Sequence, residues 1–377
     1  PASLKVAKNE SIADVDYAFD GSYIKTAVID NGMEVIPEGL FLGASKLQAV
    51  EIPNTVTTIS KSAFSGCESL TDIKIPDSVT EIGSWAFADC ENLEELTLPK
   101  NIEVLEGCIL RNTSVKSINI PASLKIAKSG SIADMDYAFE DSYIETAVID
   151  NGMEVIPEGL FCGASKLQTV EIPDTVTAIS DSTFANCESL TDIKIPSGVE
   201  SIGNNAFDGC GSLTGIKIPS GLKSIGNYAF TGCENLKEIE LNEGLESLGA
   251  FAFRDTGITE IVIPKTVESI YGVTGMAGLA GYSAFKDSNV KEVTFAEGAT
   301  IIPQQSFFGC STIEKINIPN TVKTIGNNAF SGCENLKEIE LPEGIESIGA
   351  NAFSGTGITS LTIPASLKSG YASAGMI

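Results

Sequence analysis

A right-handed solenoid of short parallel strands is the fold this sequence predicts, and three observations predict it. A unit with the spacing L-x-x-I-x-I-P-x-x-V-x-x-I-G-x-x-A-F-x-x-C recurs along the chain, as in 190-LTDIKIPSGVESIGNNAFDGC-210. Its anchoring Phe returns every 22 or 23 residues, a period that belongs to stacked coils rather than to separate globular domains. Each unit carries too little apolar surface to close its own core, so it is stable only against its neighbours.

Within one unit the elements follow in order. Ile193 and Ile195 alternate with Lys194, as a half-buried strand requires. Pro196 lacks an N–H and closes that strand. Val199 and Ile202 mark a second short extended piece, ended by Gly203. Asn204 to Phe207 reads as a short helical or 3-10 turn whose Phe plugs the core. The phase markers run Phe19, Phe41, Phe64, Phe87, a degenerate Leu110, then Phe139, Phe161, Phe184, Phe207, Phe230, Phe253, Phe285, Phe307, Phe330 and Phe353. Two intervals are longer, 110 to 139 and 253 to 285, and predict loop insertions near 121–138 and 271–282. The expectation is therefore one continuous array over residues 1–377 with about 15 repeats.

A larger duplication overlies the period. Residues 1–76 match 121–196 with 15 differences, and CENLKEIEL occurs at 233–241 and again at 333–341. Expansion by whole cassettes suits a spacer or a binding array better than an enzyme, in which one site must stay intact.

Composition narrows the function. Fifty acidic against 24 basic residues give a formal charge of −26, which argues against nucleic acid and against anionic lipid. No apolar run reaches the 18 residues of a membrane span. The chain begins at Pro1 and reads as a trimmed mature fragment or a piece cut for expression, so the lack of a signal peptide says nothing of compartment. With no His, a Ser or Cys nucleophile lacks its commonest base, and no acidic pair stands out for glycoside hydrolysis. Seven of nine Cys (67, 90, 187, 210, 233, 310 and 333) follow an anchoring Phe by three residues. A residue locked to the repeat phase is a packing choice, so a buried, reduced ladder is expected and zinc on these thiols is not.

The motif as a whole resembles the BspA-like leucine-rich repeats, also called the Treponema pallidum type, over essentially the whole chain. IP recurs at 75–76, 195–196, 218–219 and 318–319, and AF at 86–87, 206–207, 229–230 and 329–330. The resemblance implies a leucine-rich-repeat solenoid, a secreted or surface-anchored location, and binding of host or microbial proteins. It carries over no catalytic motif. Departures from the pattern are Leu110, the two inserts, and Asn242 and Ala296 at the place of the strand-ending Pro.

Candidate contact residues lie outside the repeat phase. Tyr271, Met276, Leu279 and Tyr282 in the insert 271-YGVTGMAGLAGY-282 are not claimed by the core and suit partner contact; the bland alternative is a loop folded back over a gap. Trp85 occupies a turn position where other copies carry Asn and is expected to be partly exposed, whereas Tyr17, Tyr137 and Tyr228 at the same place favour ordinary packing. The outward row of the main strands, from Val28, Glu51 and Lys74 onward, mixes signs and offers no ring, so it reads as a solvated polar sheet. Asp14, Asp16 and Asp20, with Asp134, Asp136 and Glu140 in the duplicate, hint at a calcium loop. Phe19 and Phe139 stand where such a loop needs Gly, and solvated acids are the expectation. The reading that follows is a non-enzymatic, monomeric, extracellular or cell-surface protein without cofactor or metal. It binds a protein or glycoprotein; the alternative is a passive spacer.

Overall fold

The computed structural model describes residues 18–128, 136–270 and 282–368. It falls into two compact units, Pro1–Leu190 and Thr191–Ile377. Each is a stack of coils held by parallel pairing at an offset of one repeat.

In the first unit the main row pairs Thr26–Val28 with Ala49–Glu51, and Ser117–Ile120 with Thr146–Ile149 and then Thr169–Glu171. A second row of two-residue strands joins Val35–Ile36, Thr58–Ile59, Glu81–Ile82 and Val104–Leu105, and Val155–Ile156 joins Ala178–Ile179. In the second unit Asp192–Lys194 pairs with Gly215–Lys217, and Glu260–Ile263 with Glu292–Phe295 and Lys315–Asn317. Its second row runs through Ser201–Ile202, Ser224–Ile225 and Ser247–Leu248, and again through Ile301–Ile302, Thr324–Ile325 and Ser347–Ile348. The parallel register keeps each residue type above its own kind, which is why Ile, Val and Leu form continuous buried columns.

The expected helical turn before each Phe is not helical, and no helix occurs among the described residues. The segment instead makes a third inter-coil ladder. Ser62, Phe64 and Gly66 donate their N–H groups to Ser84, Ala86 and Ala88 of the next coil at 2.9, 2.8 and 2.8 Å. The intervening Ala63, Ser65 and Cys67 close tight turns onto Ser60, Ser62 and Phe64 at 3.2 Å. Two left-handed residues, Ser62 (φ 54°) and Gly66 (φ 73°), bracket the Phe and rotate alternate N–H groups toward the next coil. A helix would use those donors inside its own segment; the stack needs them between segments.

The Phe rings form the centre of this ladder. Phe41, Phe64 and Phe87 stack at 5.3 and 5.5 Å, and Phe207, Phe230 and Phe253 at 5.3 and 5.7 Å. All four distances lie within the favourable range for offset rings. All nine cysteines are free and buried. The thiols of Cys67, Cys90, Cys187, Cys233 and Cys333 each donate to the carbonyl of the Phe one coil earlier, at 3.1–3.3 Å. Where Thr113, Thr256 or Thr356 takes the place of Cys, the hydroxyl turns back to the carbonyl of its own Leu110, Phe253 or Phe353. Burial pushes the thiols of Cys233 and Cys310 up to about 12.

Two outcomes are expected. Phe64→Ala removes a fully buried ring between two others and should cost about 3–5 kcal/mol in urea unfolding followed by far-UV dichroism. A loss below about 1 kcal/mol would mean the ring column is dispensable. In native protein at pH 8 a thiol with a pKa of about 12 is about one part in ten thousand thiolate, so Ellman's reagent should titrate the ladder cysteines only after denaturation.

Candidate interaction surface

Both inserts leave the array at one corner of the coil, between the second row and the Phe turn. At each, a backbone bond between described residues closes the neck: Ala138 N–H to Ala127 O and Ala284 N–H to Ile270 O, both 2.9 Å, with an antiparallel bridge between Lys128 and Tyr137 at the first. The returning chain is then tied to the preceding coil in the same way. Cys108 and Ile109 donate to Tyr137 and Ala138 at 2.8 and 3.0 Å; Phe251 and Phe253 donate to Ser283 and Ala284 at 3.0 Å. Ala and Ser suit the returning positions because the neck is tight; Ala138, Ser283 and Ala284 are all fully buried.

Of the candidate contact residues, Tyr271, Met276 and Leu279 lie outside the described residues. Tyr282 is described and is about one-third exposed at 36%. Its ring leans on Phe251 at 5.1 Å, and Phe251 stacks on Tyr228 at 5.0 Å, so three aromatic side chains climb consecutive turns beside the second insert. Phe251 and Tyr228 hold φ 56°, a left-handed setting that bulky residues rarely adopt. Arg254 sits over the Phe251 ring at 5.9 Å.

Trp85 belongs to the other unit. It too is left-handed (φ 56°), is half-buried, and carries Lys61 Nζ 4.2 Å above its ring. Its indole Nε1 is buried without a hydrogen-bond partner. One coil further on, Cys108 takes the same left-handed place (φ 54°) and faces Asp136 and Glu140. Burial first, then the Asp136 charge, pushes the Cys108 thiol up to about 12, while burial also raises Glu140. Tyr137 packs against Gly159, where a Cβ would come within 1.9 Å of its ring.

The main row behaves as a polar sheet with isolated exposed valines, Val28 at 71% and Val262 at 55%. An open crevice of about 1050 Å³ splits it in the second unit, where residues 238–241 make only the Lys217–Glu240 bridge; Lys237, Glu238, Glu240, Glu260 and Glu292 line it. Glu260 and Glu292 stand directly opposite in register, and Lys315 at 2.6 Å from Glu292 relieves one end of that repulsion. Sequence reasoning missed this acidic column because it followed the neighbouring outward position; stacking the repeats two residues earlier reveals it. It also missed the meeting of Cys108 with Asp136 and Glu140, for which the one signal is that Cys108 falls outside the cysteine phase.

The profile of the BspA type leucine rich repeat region matches residues 15–136, 135–212, 154–274 and 280–374, in six copies. The chain belongs to the BspA-type leucine-rich-repeat family. It is similar to a leucine-rich repeat protein of Bacteroides ovatus, at 26% identity and a TM-score of 0.57, covering 97% of this chain and 88% of that one. A leucine rich repeat protein of T. pallidum is 28% identical over 45% of this chain and 78% of its own, with a TM-score of 0.37. A leucine rich cell surface protein of Faecalibacterium prausnitzii is 23% identical, covers 94% of this chain and 98% of its own, and has a TM-score of 0.40. No curated protein matches the chain. In this BspA-type chain the coils vary at the insert corner and in the main row, while the second row and the turn ladder keep their register.

Among the described residues no helix is long and apolar enough to cross a membrane. Gly159 tests the packing of the first neck directly. Gly159→Ala drives a methyl into the Tyr137 ring at a left-handed position (φ 64°), so it should lower stability by about 1–3 kcal/mol, read as an earlier urea midpoint. An unchanged midpoint would show that Tyr137 does not pack there.

Proposed function

We propose that this BspA-type array is a non-enzymatic interaction protein that works at the bacterial cell surface or outside the cell. As a monomer it binds a protein or glycoprotein of host or microbial origin. The contact surface is the corner from which the inserts emerge, with Tyr271, Met276, Leu279 and Tyr282 on one insert and Trp85 beside the other. One observation carries this reading: aromatic side chains gather on the turn row next to each insert, at Tyr228–Phe251–Tyr282 and at Trp85, with Tyr228, Phe251 and Trp85 held in left-handed backbone that bulky residues rarely adopt. Aromatic anchors with a stacked cation are the residues that dominate protein interfaces. The unbroken 23-residue step from Phe184 to Phe207 supports a single continuous array as the carrier.

A passive spacer is the second reading, and the near-identical cassettes at 1–76 and 121–196 favour it, since duplication lengthens a spacer without needing to preserve a site. A biosensor screen against immobilised matrix proteins, mucins and bacterial surface glycoproteins at physiological salt separates the two. A variant with 271–282 replaced by a short turn between Ile270 and Ser283, and a second with Trp85→Ala, are run alongside. Saturable binding that weakens at least about fivefold in either variant, as loss of a hot spot does, supports the corner as the site. Saturable binding equal in all three moves the site to the main row, and no binding to any surface favours the spacer.

A further inference from the structure

We propose that Cys108, Asp136 and Glu140 bind a thiophilic divalent metal ion of the zinc class at the neck of the first insert. One ligand atom from each residue lies within 4.8 Å of the other two, and this is the single group of three or more metal-capable side chains among the described residues. The donors come from two consecutive coils. Cys108 belongs to the turn of the Leu110 coil, and Asp136 and Glu140 flank the plugging Phe139 of the next. The bond from Cys108 N–H to Tyr137 O, 2.8 Å, sets the two turns against each other.

Three further features point to a ligand. Cys108 is 4% exposed, yet it stands outside the cysteine ladder, and among the described residues its thiol donates to no carbonyl as Cys90 does to Phe64. The indole N–H of Trp85 is buried against the Cys108 thiol, with no oxygen or nitrogen acceptor in reach. A neutral thiol is a poor acceptor for it, whereas a metal-bound thiolate is a good one, and such outer hydrogen bonds are what tune a metal site. Finally, Gly107 makes the room: a Cβ there would come within 2.2 Å of Asp136 Cβ. Its counterparts in the preceding coils are Lys61 and Ser84, so a side chain is otherwise accepted at this place.

The donor set chooses the metal. A thiolate with two carboxylates suits zinc and disfavours calcium and magnesium, which take oxygen alone. Zinc bonds of about 2.0–2.3 Å place tetrahedral donors about 3.3–3.7 Å apart, so closing from 4.8 Å needs only a shift of about 1 Å, within side-chain rotation. Three protein ligands leave the fourth position to water or to a group from a bound partner. Arg111, close enough to act on Glu140, offsets part of the negative charge that remains. The metal site stands whichever surface binds a partner.

Zinc chloride titrated into chelator-stripped protein by isothermal calorimetry, with millimolar magnesium present to occupy loose carboxylates, provides the test. The expected result is one ion per chain, bound at least about tenfold more weakly by Cys108→Ser, by Glu140→Gln and by Gly107→Ala, the range in which lost ligands and supporting groups act. Cobalt(II) added to the wild-type chain should show a thiolate charge-transfer band that Cys108→Ser lacks. Absence of stoichiometric zinc binding, equal affinity in the three variants, or a cobalt spectrum without the thiolate band would each overturn the site. Thermal melting of every variant reports folding. Because Glu140 is only half-buried and the cobalt band is read on the wild-type chain, these two readouts still decide the matter if Gly107→Ala misfolds.

Discussion

Everything in this protein depends on one arrangement: a buried Phe whose own N–H, and the N–H two residues to either side, are satisfied by the next coil rather than by their own. Phe64 shows it at 2.8 Å to Ala86, with Ser62 and Gly66 bonding alongside. A buried donor left unpaired costs about 1–3 kcal/mol, so three such donors in each turn make an isolated coil untenable. The same arrangement explains the residues around it. Left-handed backbone at Ser62, Trp85, Asn205 and Tyr228 is a local cost of about 1–2 kcal/mol each, accepted because it aims the donors along the stack. Cys three residues after the Phe is the small side chain whose thiol can reach the previous Phe carbonyl, which also holds that carbonyl in place.

Because the turn ladder and the second row are the tightly bonded parts, variation collects where they can tolerate it. The main row opens without disturbing the Phe column, as between residues 238–241 and Glu260–Ile263. Insertions enter at the corner where a short backbone pairing, through Ala138 to Ala127 or Ala284 to Ile270, closes the neck whatever lies beyond it. Closing a longer loop costs little, about 0.6 kcal/mol per doubling, so the neck sets the constraint and the loop is free to change. Asn242, in place of the strand-ending Pro, is a smaller case: its side-chain amide donates to Pro219 O and Leu222 O and fastens the strand exit by another route.

Much of this was legible in the sequence. The Phe phase, the alternation of Ile193 and Ile195 about Lys194, and the phase-locked cysteines follow from repetition alone, because a position repeated in fifteen units averages away its local noise. The turn was misread for a physical reason. Asn-Asn-Ala-Phe has the composition of a short helical turn, and nothing local distinguishes donors pointing along the segment from donors pointing across to a neighbour. The surface features were hidden differently. Cys108 and Asp136 are 28 positions apart, and only the stacking of turns, with Gly107 clearing the space between them, places them together.

The coil at Leu110 is where these constraints and their exceptions meet. Leu110 is fully buried but interrupts the ring column between Phe87 and Phe139, giving up aromatic stacking worth about 0.5–1.5 kcal/mol per pair. Beside it stand Gly107, flexible where other coils carry side chains, Cys108 in a left-handed setting, and Trp85 in another with its indole N–H unpaired. The left-handed setting is the rule at that position of the turn, so what sets these two adjacent turns apart is the missing ring at Leu110, the missing side chain at Gly107, and the Cys and Trp in place of Ser or Asn. Gly107, Cys108 and Trp85 share one consequence: a buried thiol, two carboxylates and an indole N–H meet at the neck of an insert, next to the surface on which this family member differs from its own repeats.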